Sequence, residues 1–228
     1  IVAGWTMSFG MGSADFWLIK TNSSGAMLWN KTYGGAGEDK AYSVQQTSDG
    51  GYIITGSTES RGAGSSDFWL VKTDAEGVAQ WNKTYGGQYA DSAFCVQQTS
   101  DGGYIVAGAT ESFGTDSSDF WLVKTVANGF VQWNKTFGGT GFDRAFSVVQ
   151  TSDLGYIVAG ETGSFGSGNL DFWLVRTDSA GTVLWSRTYG GASLDTARSV
   201  QQTSDGGYIV AGWTNSFGTG GSDYWLVK

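Results

Sequence analysis

The sequence of 228 residues has no histidine, no proline and one cysteine. Without histidine the chain lacks the commonest general base and the commonest ligand of zinc, which excludes Ser-His-Asp and Cys-His catalysis. Because Cys95 is the only cysteine, no intrachain disulfide can form. No apolar run approaches the ~18 residues that a membrane-spanning helix needs. We therefore expect no cofactor and no membrane-spanning segment in this chain.

Basic residues are also few, 13 against 21 acidic residues, and the net charge is −8. Binding to a phosphate backbone requires clustered lysine and arginine, so nucleic acid is not an expected partner. The sequence opens at Ile1 in the middle of a repeating pattern. We expect its natural start to lie upstream, and a signal peptide there is an open question.

Glycine and aromatic residues are abundant instead, with 37 Gly, 11 Trp, 10 Tyr and 13 Phe. This mixture is typical of an all-β protein with many glycine turns. The segment DFWLIK at 15–20 recurs every 52 residues, as do WNKTYGG at 29–35 and SVQQTSDGGYI at 43–53. Such a period is the signature of a repeat architecture.

Each repeat is predicted to hold four short strands, which we call A, B, C and D. In the second repeat we expect strand A at 43–48, strand B at 52–56, strand C at 67–73 and strand D at 81–85. The intervening Asp-Gly-Gly predicts a tight hairpin between A and B. Strand C is apolar on both faces and so must be covered on both sides. Strand D alternates better, which suits a partly exposed edge.

Four-stranded sheets that cover one another in this way describe a β-propeller. A parallel β-helix is the main rival, but it uses shorter repeats and does not need tight antiparallel hairpins. The strand order resembles WD40 and quinoprotein-like repeats. More closely, the whole chain resembles the DFWLVKTD…WNKTYGG…SVQQTSDGGYIVAG arrays of large secreted or cell-surface proteins of archaea and bacteria. That resemblance implies an extracellular or cell-surface location.

Four repeats leave 20 residues over, and residues 1–20 match 209–228 at 14 positions. We therefore predict a single propeller domain, 1–228, with five blade positions of which the first and last are incomplete. A window cut from a larger propeller or array is the alternative. A third possibility is that another chain supplies strands, because an unpaired strand edge invites pairing.

Candidate metal ligands are the aspartates that precede strand A. A second set of aspartates stands at the start of strand C, and in a propeller the loops that carry both sets emerge at the same rim. One interpretation is an oxygen cluster for a calcium-like ion; the favoured one is that each carboxylate caps loop amides. The first set is Asp39, Asp91, Asp143 and Asp195, and the second is Asp15, Asp67, Asp119, Asp171 and Asp223.

Glycosylation is predicted at sequons that recur in strand D, the outermost strand of a blade. The alternative interpretation is that these sequons reflect ordinary strand composition, which the repeat has copied. The candidate residues are Asn30, Asn82 and Asn134, with Asn22 as a fourth.

Aromatic residues at the rim are candidate ligand contacts, because loops on a rigid scaffold carry binding and aromatic rings stack on sugars. The recurring loop phenylalanines are expected to plug gaps between blades instead: Phe9, Phe113, Phe165 and Phe217. The rim candidates are Trp5, Tyr89, Phe142 and Trp213.

No acid–base pair is set apart from the repeat symmetry, so we expect the chain not to be an enzyme. The preferred function is a non-enzymatic structural or adhesive module at the cell surface or outside the cell. It would associate with other copies of itself or with surface proteins through blade edges or rim loops. A lectin-like propeller that binds glycans at repeated sites is the alternative.

Overall fold

The computed structural model describes residues 1–115 and 117–228. Within these ranges the regular elements are eighteen β-strands in five sheets, and no helix is present that could cross a membrane. The first and last sheets have three strands and the others have four. This confirms the predicted fold class: an all-β chain of propeller-type blades, of which the first and last are incomplete.

The strands of sheet 1 are β1 (Val2–Thr6), β2 (Asp15–Thr21) and β3 (Met27–Tyr33). Those of sheet 2 are β4 (Asp39–Gln46), β5 (Tyr52–Thr58), β6 (Asp67–Thr73) and β7 (Ala79–Tyr85). Those of sheet 3 are β8 (Asp91–Gln98), β9 (Tyr104–Thr110), β10 (Asp119–Thr125) and β11 (Val131–Phe137). Those of sheet 4 are β12 (Asp143–Gln150), β13 (Tyr156–Thr162), β14 (Asp171–Thr177) and β15 (Val183–Tyr189). Those of sheet 5 are β16 (Asp195–Gln202), β17 (Tyr208–Thr214) and β18 (Asp223–Val227).

Strands follow the order A-B-C-D within a sheet, and sheet 1 lacks strand A while sheet 5 lacks strand D. Strand C has the predicted bounds, but strand A of sheet 2 begins at Asp39, four residues before the predicted start. A β-bulge between Ala41 and Ser43 explains the difference. The bulge interrupts the alternation of inward and outward side chains, so the residues before Ser43 do not show the alternating pattern that identifies the rest of the strand.

The A–B hairpin closes as predicted. In sheet 2 the Thr47 amide donates to the Gly51 carbonyl at 2.9 Å, and Gly50 has a φ of 82°. Leu154 occupies the corresponding position in sheet 4 with a φ of 70°. A residue with a side chain is strained in this left-handed region, so leucine is less favourable than glycine at this position of the turn.

Two compact units divide the described chain. One comprises Ile1–Val106 and Thr125–Val131, and the other comprises Ala107–Lys124 and Gln132–Lys228. In the first unit, sheets 1 and 2 pack face to face around Phe16, Leu18 and Ile54. The Phe16 ring lies 4.6 Å from the ring of Trp69, centroid to centroid. In the second unit, sheets 4 and 5 bury Phe172 and Leu174 in the same way.

Burial follows the prediction for strands C and D. Every residue of β6 and of β14 is buried, because each of these strands has neighbours on both faces. The residues of β7 and β15 are half-buried or exposed, as expected for the outer strand of a blade. In sheets 2, 3 and 4 the buried interior therefore consists of strands B and C, and the outer strand presents polar side chains to the surface.

Candidate functional site

In each unit, pairs of carboxylates lie where the loop after strand B meets the loop after strand D. In sheet 1 and its neighbour, Asp15 and Asp39 lie on either side of Gly34, where a Cβ would overlap the Asp15 carboxylate. The same arrangement recurs three times, for Asp67 with Asp91, Asp119 with Asp143, and Asp171 with Asp195. The predicted meeting of the two aspartate sets at one rim therefore occurs within each unit.

The aspartates of the first set are the first residues of strand A rather than loop residues. Asp39 accepts hydrogen bonds from the Thr58 hydroxyl, from Ser60 Oγ at 2.7 Å and from the Gly35 amide at 2.9 Å. Asp195 is held by the equivalent groups, Thr214, Ser216 and Gly191. Asp91 and Asp143 likewise accept from the amides of Gly87 and Gly139. These contacts are those of carboxylates that cap loop amides.

The aspartates that open strand C hold the loop before them. Asp119 accepts from the Thr115 amide at 2.7 Å, and Asp171 accepts from the Ser167 amide at 2.6 Å. Burial raises the pKa of Asp67 to about 6, and the negative charge of Asp91 contributes in the same direction. Across the described residues no group of three or more acidic or thiol side chains is arranged to hold a metal ion.

The four rim aromatics occupy two kinds of place. Tyr89 and Phe142 are exposed in the loops after strand D, and the Arg144 guanidinium lies over the Phe142 ring at 5.6 Å. Trp5 and Trp213 instead lie on strands β1 and β17, one residue before each strand ends. Contact of these four side chains with a ligand stays a prediction.

The recurring loop phenylalanines stack on the tryptophan of strand C in their own blade. Ring centroids are 5.1–5.9 Å apart in these pairs. In sheet 2, where Arg61 replaces the phenylalanine, its guanidinium lies 5.5 Å from the Trp69 ring. The pairs are Phe9 with Trp17, Phe113 with Trp121, Phe165 with Trp173, and Phe217 with Trp225.

The sequon asparagines of strand D are exposed and serve as acceptors for a tryptophan. Asn30 Oδ1 lies 3.3 Å from Trp17 Nε1, and the same contact recurs for Asn82 with Trp69 and for Asn134 with Trp121. A glycan would attach to the side-chain amide nitrogen, which does not take part in this contact. Asn22 lies in the turn between strands C and D, where its Oδ1 accepts from the Ala26 amide at 2.9 Å.

A buried cation in strand C was not anticipated from the sequence. Lys72 is almost fully buried and bonds both oxygens of Asp49, which lies in the A–B hairpin. Arg176 and Asp153 form the same pair in sheet 4. The signal was present, since an acidic hairpin residue precedes a basic residue by 23 positions in both cases. Hydrogen bonding to Lys72 lowers the pKa of Asp49 to about 2.

Two cavities lie where the repeat symmetry breaks. A cavity of about 310 Å³ lies beside Phe165 and Trp173, where Ser186 replaces the asparagine of the other copies. A second, of about 330 Å³, lies beside Trp185 and Tyr189 at the open side of sheet 5. In sheets 1 and 2 the equivalent tyrosines are covered: Tyr33 and Tyr85 donate to the carbonyls of Gly77 and Gly129 at 2.6 and 2.7 Å.

Comparisons with known proteins find limited similarity, and no family model matches the chain. Over 128 residues, 48% of the chain, it is 28% identical to regulatory protein FlaEY of Caulobacter vibrioides, of which this covers 13%. It is also similar to the crystal structure of Sqt1 from Chaetomium thermophilum, with 12% identity and a TM-score of 0.48. That match covers 89% of this chain and 48% of Sqt1. The chain thus spans less than half of either protein.

Proposed function

We propose that this chain is a non-enzymatic protein-interaction module with a structural or adhesive role. It binds other proteins, copies of itself included, through blade edges or rim loops. The observation that carries this proposal is the outer edge of the blades, where strands β3, β7, β11 and β15 have a neighbour on one side only and expose apolar side chains such as Leu28 and Leu184. An unpaired edge presents backbone donors and acceptors that can pair with another chain.

The exposed residues of these sheets support an interaction role. Leu28 on β3, Val131 on β11 and Leu184 on β15 are all exposed. Exposed apolar surface beside a free strand edge is typical of protein–protein contacts. The rim carboxylates do not favour catalysis, because the same pair of aspartates recurs from blade to blade. FlaEY is named a regulatory protein, and a regulatory role through protein contacts belongs to the same class of function.

Sedimentation velocity of the full chain over a wide concentration range tests self-association. The expected result is a mass that rises with concentration. A strict monomer at every concentration would contradict the self-association proposed here.

An extracellular or cell-surface location is part of the proposal, supported by the exposed asparagines of strand D. Secretion of the chain from a host that glycosylates asparagine should add glycan mass. The expected mass falls stepwise in variants with Asn30→Gln, Asn82→Gln and Asn134→Gln. An intact mass equal to that of the bare polypeptide would remove this support.

Carbohydrate binding is the second candidate, and the cavity beside Trp173 favours it. The asparagine that accepts from the indole in three other blades is replaced there by Ser186, which leaves room for a ligand oxygen. A glycan array, followed by titration of a positive sugar, tests this function. Ser186→Asn should abolish binding by refilling the cavity, and Ser152→Asn, an exposed change elsewhere in the same sheet, should not.

A further inference from the structure

The tryptophan of strand C in sheets 1, 2 and 3 donates its indole N–H to a side-chain amide from strand D. The asparagine Oδ1 lies 3.3–3.4 Å from the indole nitrogen in each case. The register explains the contact in sheet 2, because Thr84 lies directly opposite Trp69, and Asn82, two residues before Thr84, lies on the same face. The pairs are Trp17 with Asn30, Trp69 with Asn82, and Trp121 with Asn134.

Sheet 4 has the same register without the amide. Thr188 lies opposite Trp173, and the residue two positions before Thr188 is Ser186. Trp173 is only 5% exposed, and no residue of 1–115 or 117–228 accepts a hydrogen bond from its indole nitrogen. A nearly buried donor without an acceptor is unfavourable. The indole N–H of Trp173 therefore favours a ligand that brings an acceptor to it.

The place of the missing amide belongs to a cavity of about 310 Å³, which is lined by Phe165, Trp173, Ser186, Arg187 and Thr188. Small-molecule sites usually measure about 300–1,000 Å³, so this volume suits a small ligand. All the lining residues lie in the second compact unit, and Phe120 of the same unit packs on Trp173 with ring centroids 4.5 Å apart. The cavity is therefore formed by sheet 4 and its loop, on a face that sheet 3 contacts.

The wall of this cavity combines an aromatic face with polar groups. Phe165 is 46% exposed, and its ring lies 5.1 Å from the Trp173 ring, centroid to centroid. An exposed aromatic ring offers an apolar face to the C–H groups of a sugar. Ser186 and Thr188 carry hydroxyls, which both donate and accept hydrogen bonds. An apolar wall with a few polar groups is typical of a small-ligand site.

The three filled blades show which chemical group fits the empty place. An asparagine side chain ends in a planar carboxamide, whose oxygen accepts from the indole while its nitrogen is left out of that contact. The acetamido group of a 2-acetamido sugar has the same planar arrangement of carbonyl and N–H. Its oxygen can therefore accept from the indole, and its nitrogen carries the sugar ring. A sugar hydroxyl can also accept this hydrogen bond, but it does not fill the space of a planar amide.

We propose that the cavity of sheet 4 binds a 2-acetamido sugar, with the acetamido carbonyl accepting from Trp173 Nε1 and the sugar ring against Phe165. This inference rests on the second candidate function, carbohydrate binding, and narrows it to one site, because sheets 1, 2 and 3 hold asparagine in the same place. The cavity is larger than a single amide group, and that room favours a sugar over the side-chain amide of a partner protein.

Nuclear magnetic resonance of the full chain gives a direct readout, because each of the 11 tryptophans contributes one indole N–H signal. Trp173→Phe identifies the signal of Trp173 by its loss, and Ser186→Asn should shift the same signal by supplying an internal acceptor. Titration with N-acetylglucosamine or N-acetylgalactosamine should move this signal progressively, whereas glucose and galactose should not. A Trp173 signal that responds to neither acetamido sugar would overturn the inference.

Two substitutions at Ser186 separate the open space from the serine itself. Ser186→Asn, made in a host that does not glycosylate asparagine, should weaken binding of the acetamido sugar by about tenfold or more, because the new amide occupies the place and accepts from the indole. Ser186→Ala leaves the place open and should change the dissociation constant by less than about threefold. Isothermal titration calorimetry measures both, and equal binding by the two variants would contradict the proposed pose.

Asn134→Ser transfers the same change to sheet 3, where Phe113 lies beside Trp121 with ring centroids 5.2 Å apart. The number of sugars bound per chain should rise from one to two, because the substitution removes the amide that fills this place. A number that stays at one would show that an open place beside the indole does not make the site. Circular dichroism and urea unfolding establish that each variant is folded.

The outcomes distinguish this inference from the proposed functions. If a peptide such as Gly-Gln-Gly moves the Trp173 signal and the sugars do not, the cavity holds a protein amide and the sugar assignment is wrong. If a glycan array finds only sugars without an acetamido group, and Ser186→Asn removes that binding, carbohydrate binding stands and the acetamido assignment is wrong. If no sugar binds, both are wrong, whereas self-association is decided by sedimentation velocity alone.

Discussion

Strands β14 and β18 have nearly the same sequence, DFWLV and DYWLV, yet their environments are opposite. Every residue of β14 is buried, whereas β18 alternates between half-buried and exposed residues. The two strands differ in their neighbours. β14 pairs with a strand D on its outer side and is covered on both faces, whereas β18 has no strand D beside it. The comparison teaches that neighbouring sheets confer burial in this molecule, and equivalent residues can be buried in one blade and exposed in another.

The largest expected difference concerns the aromatic residue at the second position of strand C, which is Phe120 in sheet 3 and Tyr224 in sheet 5. Phe120→Ala should lower the free energy of unfolding by about 3–5 kcal/mol, because it removes a fully buried ring and leaves a cavity. Tyr224→Ala should change it by no more than about 0.5 kcal/mol, because that side chain is exposed. Urea unfolding at low protein concentration, where the chain is monomeric, measures both. Equal losses would contradict the comparison.

The next difference concerns the strand B glycines that pair with the tryptophan of strand C, Gly4 in sheet 1 and Gly160 in sheet 4. Gly160→Ala should lower the unfolding free energy by about 1–3 kcal/mol, because its Cβ would overlap the Arg144 carbonyl and crowd Phe120. Gly4→Ala should be neutral or slightly stabilising, since the space is open and alanine loses less conformational freedom than glycine. The same unfolding assay compares them, and a marked loss at Gly4 would show that sheet 1 is covered.

A smaller difference in stability is expected between the two lysine–aspartate pairs, Lys72 with Asp49 and Lys228 with Asp205. Asp49→Ala should lower the unfolding free energy by about 1 kcal/mol. The loss is moderate because the buried Lys72 ammonium keeps the Thr73 carbonyl and Gln80 Oε1 as acceptors. Asp205→Ala should have no measurable effect, because Asp205 and Lys228 of sheet 5 are both well exposed. Urea unfolding in low and high salt separates the two, and a salt-insensitive loss is expected at Asp49 alone.

Much of the fold could be predicted from the sequence, because turns and apolar strands recur with a fixed spacing. The bounds of strand C and the incomplete end blades followed from that spacing. The start of strand A could not be predicted, since the bulge after Ala41 breaks the alternation. Neither could the exposure of Tyr224, because a local pattern does not contain the neighbouring sheet. The Lys72–Asp49 pair was visible as a spacing but needed the hairpin geometry to become an ion pair.

The stability of the chain should also depend on pH, with two limbs. Asp67 has its pKa raised to about 6 by burial, so the folded chain binds its proton more tightly than the unfolded chain does. The contribution of Asp67 to stability is therefore fully present below about pH 4, and it is lost as pH rises from about 4 to about 6. Asp49 has its pKa lowered to about 2, so its contribution is present above about 4 and is lost as pH falls from about 4 to about 2.

Together these groups predict a maximum of stability near pH 4. Urea unfolding as a function of pH measures the profile. Asp67→Asn should flatten the upper limb and Asp49→Asn the lower limb, each without moving the other. A stability that declines steadily from pH 7 to pH 4 would contradict the assignment for Asp67.

Hydrogen–deuterium exchange of the dilute, monomeric chain tests the central claim most directly, because β14 and β18 have nearly equal intrinsic exchange rates. If burial is conferred by neighbouring sheets, amides of β14 should be protected up to the free energy of global unfolding, and those of β18 should exchange through local opening. At high protein concentration, protection of β18 should rise if sheet 5 becomes covered. Equal and strong protection of both strands in the monomer would contradict the account.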